Sequence, residues 1–160
     1  MRIAVISDTH MPRGARRLPD ECLRELDRAD FIFHAGDFTA SEVLDELLGL
    51  APVEAVHGNM DDAELRALLP ERHVIDIAGY RIGMIHDPGE RAGRETRLAG
   101  LFPACDLVIY GHTHLPELVT RENVRILNPG SPTERRRASK HTMATIDVAE
   151  GRLDTNICSL

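Results

Sequence analysis

The chain has 160 residues, 42% of them hydrophobic and 28% charged, which suits one soluble globular domain with a sizeable core. Its formal charge of −7 disfavours a nonspecific grip on nucleic acid, which needs clustered Lys and Arg. No apolar run approaches membrane-spanning length, and no repeat, low-complexity tract or linker divides residues 1–160, so a single domain is expected.

Met1-Arg2 runs straight into a strand over Arg2–Ser7. Its apolar stretch is too short for a signal-peptide core, and Asp8 follows at once. A short helix is expected over Pro19–Arg28, with proline in its first turn and Cys22, Leu23 and Leu26 on one face. Cys22, Cys105 and Cys158 form no C-x-x-C; they argue against a disulfide framework and for a reducing, cytoplasmic compartment. Phe31–His34 is a strand leading into Gly36-Asp37. Thr39-Ala40-Ser41-Glu42 has the form of a capping box, opening a helix that buries Val43, Leu44, Leu47 and Leu48 and stops near Gly49. Val53–Val56 is the next strand and delivers Gly58-Asn59. Asp61-Asp62-Ala63-Glu64 is a second capping-box-like start, and Pro70 closes that helix. This β-α-β-α rhythm argues for parallel strands with crossover helices.

The second half is richer in strands. His73–Ile77 and Arg81–His86 flank a turn at Ala78-Gly79-Tyr80 and form a predicted hairpin. A helix is expected around Arg94–Phe102, ended by Pro103. Asp106–Tyr110 is an apolar strand carrying Gly111-His112-Thr113-His114. Leu118–Thr120, Val124–Leu127, Thr142–Asp147 and Arg152–Ile157 are further strands, the last two joined at Glu150-Gly151. Periodicity alone yields an α/β protein.

Five motifs punctuate this pattern: Asp8-Thr9-His10, Gly36-Asp37, Gly58-Asn59, His86 and Gly111-His112-Thr113-His114. Each follows a predicted strand, and together they supply only N and O donors, the ligand set of a two-metal hydrolytic site. Residues i and i+2 of a strand point to one side, so Asp8 with His10, and His112 with His114, are expected to leave their strands together. Glycine before a ligand lets the backbone approach an ion or phosphate closely. Strand C-termini are where open α/β sheets bind ligands. His34, His73 and His141 stand outside this pattern and are expected to be hydrogen-bonded polar residues near the core. The run Arg135-Arg136-Arg137 is expected to be a solvated loop, narrowly preferred to a phosphate clamp.

The order of motifs resembles the calcineurin-like metallophosphoesterase superfamily, and within it the small single-domain phosphodiesterases. The resemblance runs from Met1 to Asn128-Pro129-Gly130-Ser131 and the strands beyond. It implies a four-layer α/β/β/α sandwich of two mixed sheets flanked by helices. It also implies two divalent metal ions: Asp8, His10 and His114 on one, Asn59, His86 and His112 on the other, and Asp37 bridging them. A water or hydroxide between the ions would be the nucleophile. The N/O donor set suits Mn, Fe, Zn, Co or Ni, and the family's habits favour Mn. Asp37 and Asn59 are thus catalytic candidates as well as ligands.

Two departures narrow the expectation. Many relatives carry histidine directly after the motif asparagine, where it stabilises the transition state and protonates the leaving oxygen; here the residue is Met60. The small phosphodiesterase branch also lacks it. Many relatives also carry His-Gly-His at the fourth motif, where this chain has His86-Asp87-Pro88-Gly89. His57, two residues before Asn59, is a candidate replacement acid, with a second-shell hydrogen-bonded role equally open. The Asn128–Ser131 segment matches a loop whose backbone N–H groups could face a phosphate, or it is a simple turn. The expected function is phosphodiester hydrolysis on a small substrate, with no large nucleic-acid footprint and no membrane partner. A phosphomonoesterase and a non-catalytic scaffold of this fold, as in the retromer subunit, are the alternatives. Relatives often self-associate, which leaves a homo-oligomer as an open expectation.

Overall fold

The computed structural model describes residues 1–160. Ten strands and four short helices follow in order: β1 (Arg2–Ile6), α1 (Asp20–Asp27), β2 (Phe31–His34), α2 (Ser41–Leu48), β3 (Val53–Ala55), α3 (Ala63–Leu68), β4 (Arg72–Ile77), β5 (Tyr80–Ile85), α4 (Arg94–Leu101), β6 (Leu107–Tyr110), β7 (Glu117–Arg121), β8 (Val124–Asn128), β9 (Thr142–Ala149) and β10 (Arg152–Ser159). The first sheet has the order β10-β9-β1-β2-β3 and the second β4-β5-β6-β8-β7. In the first, β1, β2 and β3 run parallel, and β9 and β10 add antiparallel. In the second, β5, β6 and β8 run parallel between antiparallel edges β4 and β7.

Alternation on the central strands builds the layers. Ile3 and Val5 of β1 and Phe33 of β2 face Ile82, Met84, Leu107 and Ile109 of the second sheet, all fully buried. The intervening Ala4, Ile6 and Ile32 turn outward onto Cys22 and Leu26 of α1 and Val43, Leu44 and Leu47 of α2. On the far side, Val108, Tyr110 and Ile126 pack on Leu98 of α4 and on Phe102. The result is the expected α/β/β/α sandwich. No helix is long and apolar enough to cross a membrane, and all three cysteines are free.

Several local expectations are corrected. Leu48, one position round from buried Leu47, is 52% exposed, and Leu23 is likewise exposed on α1. Thr39 does not cap α2: Ala40 occupies the N-cap, with no side-chain bond. Asp62, not Asp61, caps α3, its Oδ1 accepting from Leu65 N at 2.8 Å. The β4–β5 turn is tighter than predicted, with Ala78 and Gly79 both at positive φ, as a two-residue hairpin loop requires. His73 Nε2 lies 2.7 Å from Glu54 Oε2, a polar tie between the edge strands β4 and β3.

Candidate metal centre

All five motifs lie just past the C-terminal ends of parallel strands: Asp8 and His10 after β1, Asp37 after β2, Asn59 after β3, His86 after β5, and His112 and His114 after β6. The pleat does not bring the pairs together, however. Strand β1 ends at Ile6, and Asp8 (φ 56°), His10 (φ 45°), Asp37 (φ 61°), His112 (φ 68°) and His114 (φ 58°) all adopt the left-handed conformation. Asp and His tolerate this region better than most side chains, yet each such residue costs of order 1 kcal/mol. Hydrogen bonds between the two loops hold it in place: Asp8 N, His10 N and Met11 N donate to Gly36 O, Asp37 O and Phe38 O at 2.9, 3.0 and 2.9 Å. Parallel pairing thus continues past the strand ends.

Space around these residues is tight. A Cβ on Gly111 would stand 2.1 Å from Ser7 Oγ and 2.7 Å from Ala35 O, and one on Gly58 would stand 2.1 Å from Asp37 Oδ1. Glycine here serves close approach, as expected.

Two donor clusters result. Asp8, His10 and His114 form one and Asp8, Asp37 and His86 the other, all buried. Asp8 is common to both, and Asp37 Oδ2 of the second reaches toward the first, 3.7 Å from His10 Nε2 and 3.2 Å from His86 Nε2. His114 Nε2 lies 3.2 Å from His10 Nε2 and 3.2 Å from Asp8 Oδ1. Two of the three inward imidazoles are oriented from behind by carbonyls: His114 Nδ1 donates to Glu134 O at 2.6 Å and His86 Nδ1 to Ala35 O at 2.7 Å. Such a bond fixes the ring and directs Nε2 toward a metal. His86 Nε2 is buried and makes no hydrogen bond, which in this set of donors fits a cation.

Electrostatics favour ligation. Burial raises the carboxyl of Asp8, but the adjoining His114 and His86 imidazoles outweigh it and hold Asp8 below its usual range. Burial likewise opposes ionisation of Asp37; the His86 imidazole and the Met60 amide, 2.7 Å from Oδ1, bring it to about 2. Both carboxylates are in the anionic form that metals bind. Burial lowers His10, only partly offset by Asp37 and Asp8. For His86 burial is again the largest single influence and lowers it, but the Asp37 and Asp8 carboxylates with the Ala35 carbonyl together outweigh burial and raise it to about 8, so a cation binding at Nε2 displaces a proton there.

Asn59 and His112 stand outside the two clusters. They pair at the exposed mouth, Oδ1 to Nδ1 at 3.0 Å, with the His112 ring edge-on to His86 at 5.3 Å. The His112 backbone reaches inward instead, its N–H donating to Asp8 Oδ2 at 3.0 Å. His57 is half-buried and lines a groove of about 330 Å3 with Asn59, Arg66, Glu71, His86 and Asp87. The Arg66 guanidinium donates to Asn59 O. Met60 is 42% exposed.

Other expectations resolve differently. Within the Asn128–Ser131 segment the Gly130 N–H does not face outward toward a phosphate but donates to Asn128 Oδ1, and just beyond it the Thr133 and Glu134 N–H groups donate to Ser131 Oγ. That loop supports Asp8 instead: Ser131 Oγ donates to Asp8 O at 2.8 Å, and Thr133 Oγ1 to Thr9 O at 2.6 Å. Arg135, Arg136 and Arg137 are exposed, as expected of a solvated loop, yet Arg136 also donates to His112 O at 3.3 Å. His34 is buried, accepting from Gly36 N at 3.1 Å and stacked on Phe38. His141 is half-buried, its imidazole held below its usual range by burial and then by Arg135.

Two residues escaped sequence reasoning. Buried Asp61 accepts from the N–H groups of Asp37, Thr39 and Gly58 at 3.1, 2.7 and 2.7 Å, clamping the loops after β2 and β3. Its signal was masked by Asp62, since either could open the following helix. Glu134, beside three arginines, lies 3.7 Å from His10 Nε2; it follows no strand-end motif.

Residues 1–151 match the calcineurin-like phosphoesterase superfamily domain. The chain is 38% identical to a probable metallophosphoesterase of Methanothermobacter thermautotrophicus over 159 residues, 98% of this chain and 91% of that protein. The solution structure of Thermotoga maritima protein TM1076 superposes with a TM-score of 0.79 at 31% identity, covering 99% of each chain. An archaeal phosphodiesterase superposes with a TM-score of 0.71 at 21% identity, over 99% of this chain and 100% of that one, a likeness of fold. The chain belongs to the calcineurin-like phosphoesterase superfamily, a family of phosphoesterases that bind divalent metals.

Proposed function

We propose that this protein is a dinuclear metal-dependent phosphodiesterase acting on a small phosphodiester. The observation that carries the reading is the position of Asp37 Oδ2 between His10 and His86, one in each buried donor cluster. Two cations held there would repel strongly, and the Asp37 carboxylate would offset that repulsion; the bound ions would supply polarisation of the phosphoryl group and activation of the attacking water.

The chain's own residues set the rest. Asp8, His10 and His114 would hold the first ion. His86, with Asn59 and His112 at the mouth, would hold the second. Asn59 is a neutral donor, which keeps the centre net positive toward an anionic ester. The leaving group lies in the groove walled by His57, Arg66, Glu71 and Asp87. His57 delivers the proton to the leaving oxygen there, since Met60 faces solvent and has none to give. Manganese is the ion we assign, and three free thiols support a reducing cytoplasm. The archaeal phosphodiesterase with this fold lends the diester reading further support.

The test is turnover by the Mn-loaded protein on bis-p-nitrophenyl phosphate and on p-nitrophenyl phosphate. A marked diester preference is expected. A wide preference for the monoester would overturn the assignment, and metal binding without turnover of either would favour the scaffold alternative.

A further inference from the structure

We propose that Ser7 is a positioning residue for the metal centre: its hydroxyl fixes the Asp8 carboxylate so that Oδ1 is the oxygen presented to the first ion. The hydroxyl sits at the seam between the two sheets. Alternation along β1 turns Val5 into the core between them, and Ser7, two residues on, takes the same side. There a Cβ on Gly111, just past β6 of the other sheet, would stand 2.1 Å from Ser7 Oγ. Ser7 is fully buried, so water is no alternative partner.

Three oxygens surround Oγ: Asp8 Oδ2 at 2.7 Å, Ala35 O at 3.2 Å and Gly36 O at 3.5 Å. A hydroxyl has one proton to give. The carboxylate is the nearest acceptor, and a charge-assisted bond is about twice as strong as one to a neutral carbonyl, so the proton goes to Asp8.

The two oxygens of Asp8 become unlike as a result. Oδ2 accepts from Ser7 Oγ and, at 3.0 Å, from the His112 N–H. Oδ1 receives only the other branch of that N–H, at 3.1 Å. Oδ1 is also the oxygen that faces the imidazoles, 3.2 Å from His114 Nε2 and 3.9 Å from His10 Nε2. With both lone pairs of Oδ2 engaged, Oδ1 is left to ligate, and the carboxylate cannot turn without breaking the Ser7 bond. A ligating carboxylate held by a hydrogen bond in this way is preorganised for its cation. The rival role for Ser7 is packing alone, a small residue filling the seam beside Gly111.

Ser7→Thr and Ser7→Val separate the two roles, because these side chains have nearly the same shape and differ in the hydroxyl. Metal-stripped proteins, shown to be folded by circular dichroism, are titrated with Mn2+ calorimetrically. Ser7→Val is expected to bind the first ion roughly 10–100-fold more weakly than Ser7→Thr. Should the seam refuse a branched side chain and both variants unfold, Ser7→Ala against wild type makes the same comparison without added bulk, and the same loss is expected. Packing alone predicts that Thr and Val weaken binding equally, and that Ala lowers the urea midpoint of the metal-free protein while leaving Mn2+ affinity at the wild-type value; either result would overturn the proposal. The proposal rests on the metallocentre reading, which wild type tests separately. A wild-type chain that binds no ion overturns both, whereas normal wild-type binding with no dependence on the hydroxyl overturns only the role of Ser7.

Discussion

His86 Nδ1 donates to the carbonyl of Ala35 at 2.7 Å, joining a residue after the second sheet's β5 to one after the first sheet's β2. One bond therefore does two jobs. It ties the sheets together at the site edge and leaves Nε2 bare toward Asp37.

The two roles separate by substitution. His86→Asn retains a donor near the Nδ1 position but has no Nε2. It should unfold in urea within about 1 kcal/mol of wild type while losing the second ion and turnover. His86→Ala also removes this donor, leaving the Ala35 carbonyl only the longer 3.2 Å bond from Ser7 Oγ, and should cost a further ~1 kcal/mol or more. Equal stability losses in the two variants would show that the cross-sheet bond is not the stabilising part.

Asp61 gives the next prediction. Asp61→Ala leaves three N–H groups without their acceptor, those of Asp37 and Gly58 buried and that of Thr39 half-buried. At about 1–3 kcal/mol per orphaned group, unfolding should lose roughly 3 kcal/mol or more. Metal affinity should fall as well, because the Asp37 backbone is no longer held. Equilibrium denaturation and Mn2+ titration check both parts, and a variant as stable as wild type would mean that other acceptors or water replace the carboxylate.

How far the site was legible in the chain follows from these residues. Every motif past a parallel strand end could be read, because an apolar run followed by Asp, Asn or His is a local signal. The means of convergence could not. Asp8 and His10 meet through left-handed turns and loop-to-loop pairing with 36–38, not through the pleat. Asp61 was misread because its partners lie 22 and 24 residues earlier in the chain, at Thr39 and Asp37, and a capping role was locally sufficient. The Asn128–Ser131 loop lies beside the site, yet it is the Ser131 hydroxyl that holds the Asp8 carbonyl while the Gly130 amide bonds within the loop, a fact that depends on where β8 inserts between β6 and β7.

His34 supplies a pH prediction. Complete burial lowers its imidazole from 6.5 to about 3, outweighing the opposing pull of Asp8 and Asp37. The folded value lies below the unfolded one, so the contribution is fully present above pH 6.5 and is lost as pH falls toward 3. At about 1.4 kcal/mol per unit the whole span is on the order of 5 kcal/mol. Metal-free protein should lose melting temperature steadily from pH 6.5 down to about 4.5, a window above the ordinary carboxylate range. His34→Asn, which keeps an acceptor for the Gly36 N–H, should flatten that slope. An unchanged slope would place the acid sensitivity elsewhere.

The last prediction concerns Met60. Its side chain is 42% exposed, while its N–H is bonded to Asp37 Oδ1 at 2.7 Å. The backbone is therefore anchored at the metal cluster, and only the side chain's chemistry is missing. A monoester dianion needs more charge neutralisation than a diester, and its alkoxide leaving group needs a proton. Losing general-acid help costs about 10²–10⁴-fold. Met60→His restores an imidazole at this position, so monoester turnover should rise relative to diester turnover by roughly tenfold or more, a fraction of that range because the groove was not built around it. His57→Ala provides the complement. If His57 protonates the leaving oxygen, its loss should slow diesters with alkyl leaving groups far more than p-nitrophenyl diesters, whose leaving group departs without a proton. A Met60→His protein with an unchanged diester-to-monoester ratio would sever substrate preference from this position. A uniform effect of His57→Ala across leaving groups would make His57 a positioning residue rather than the acid.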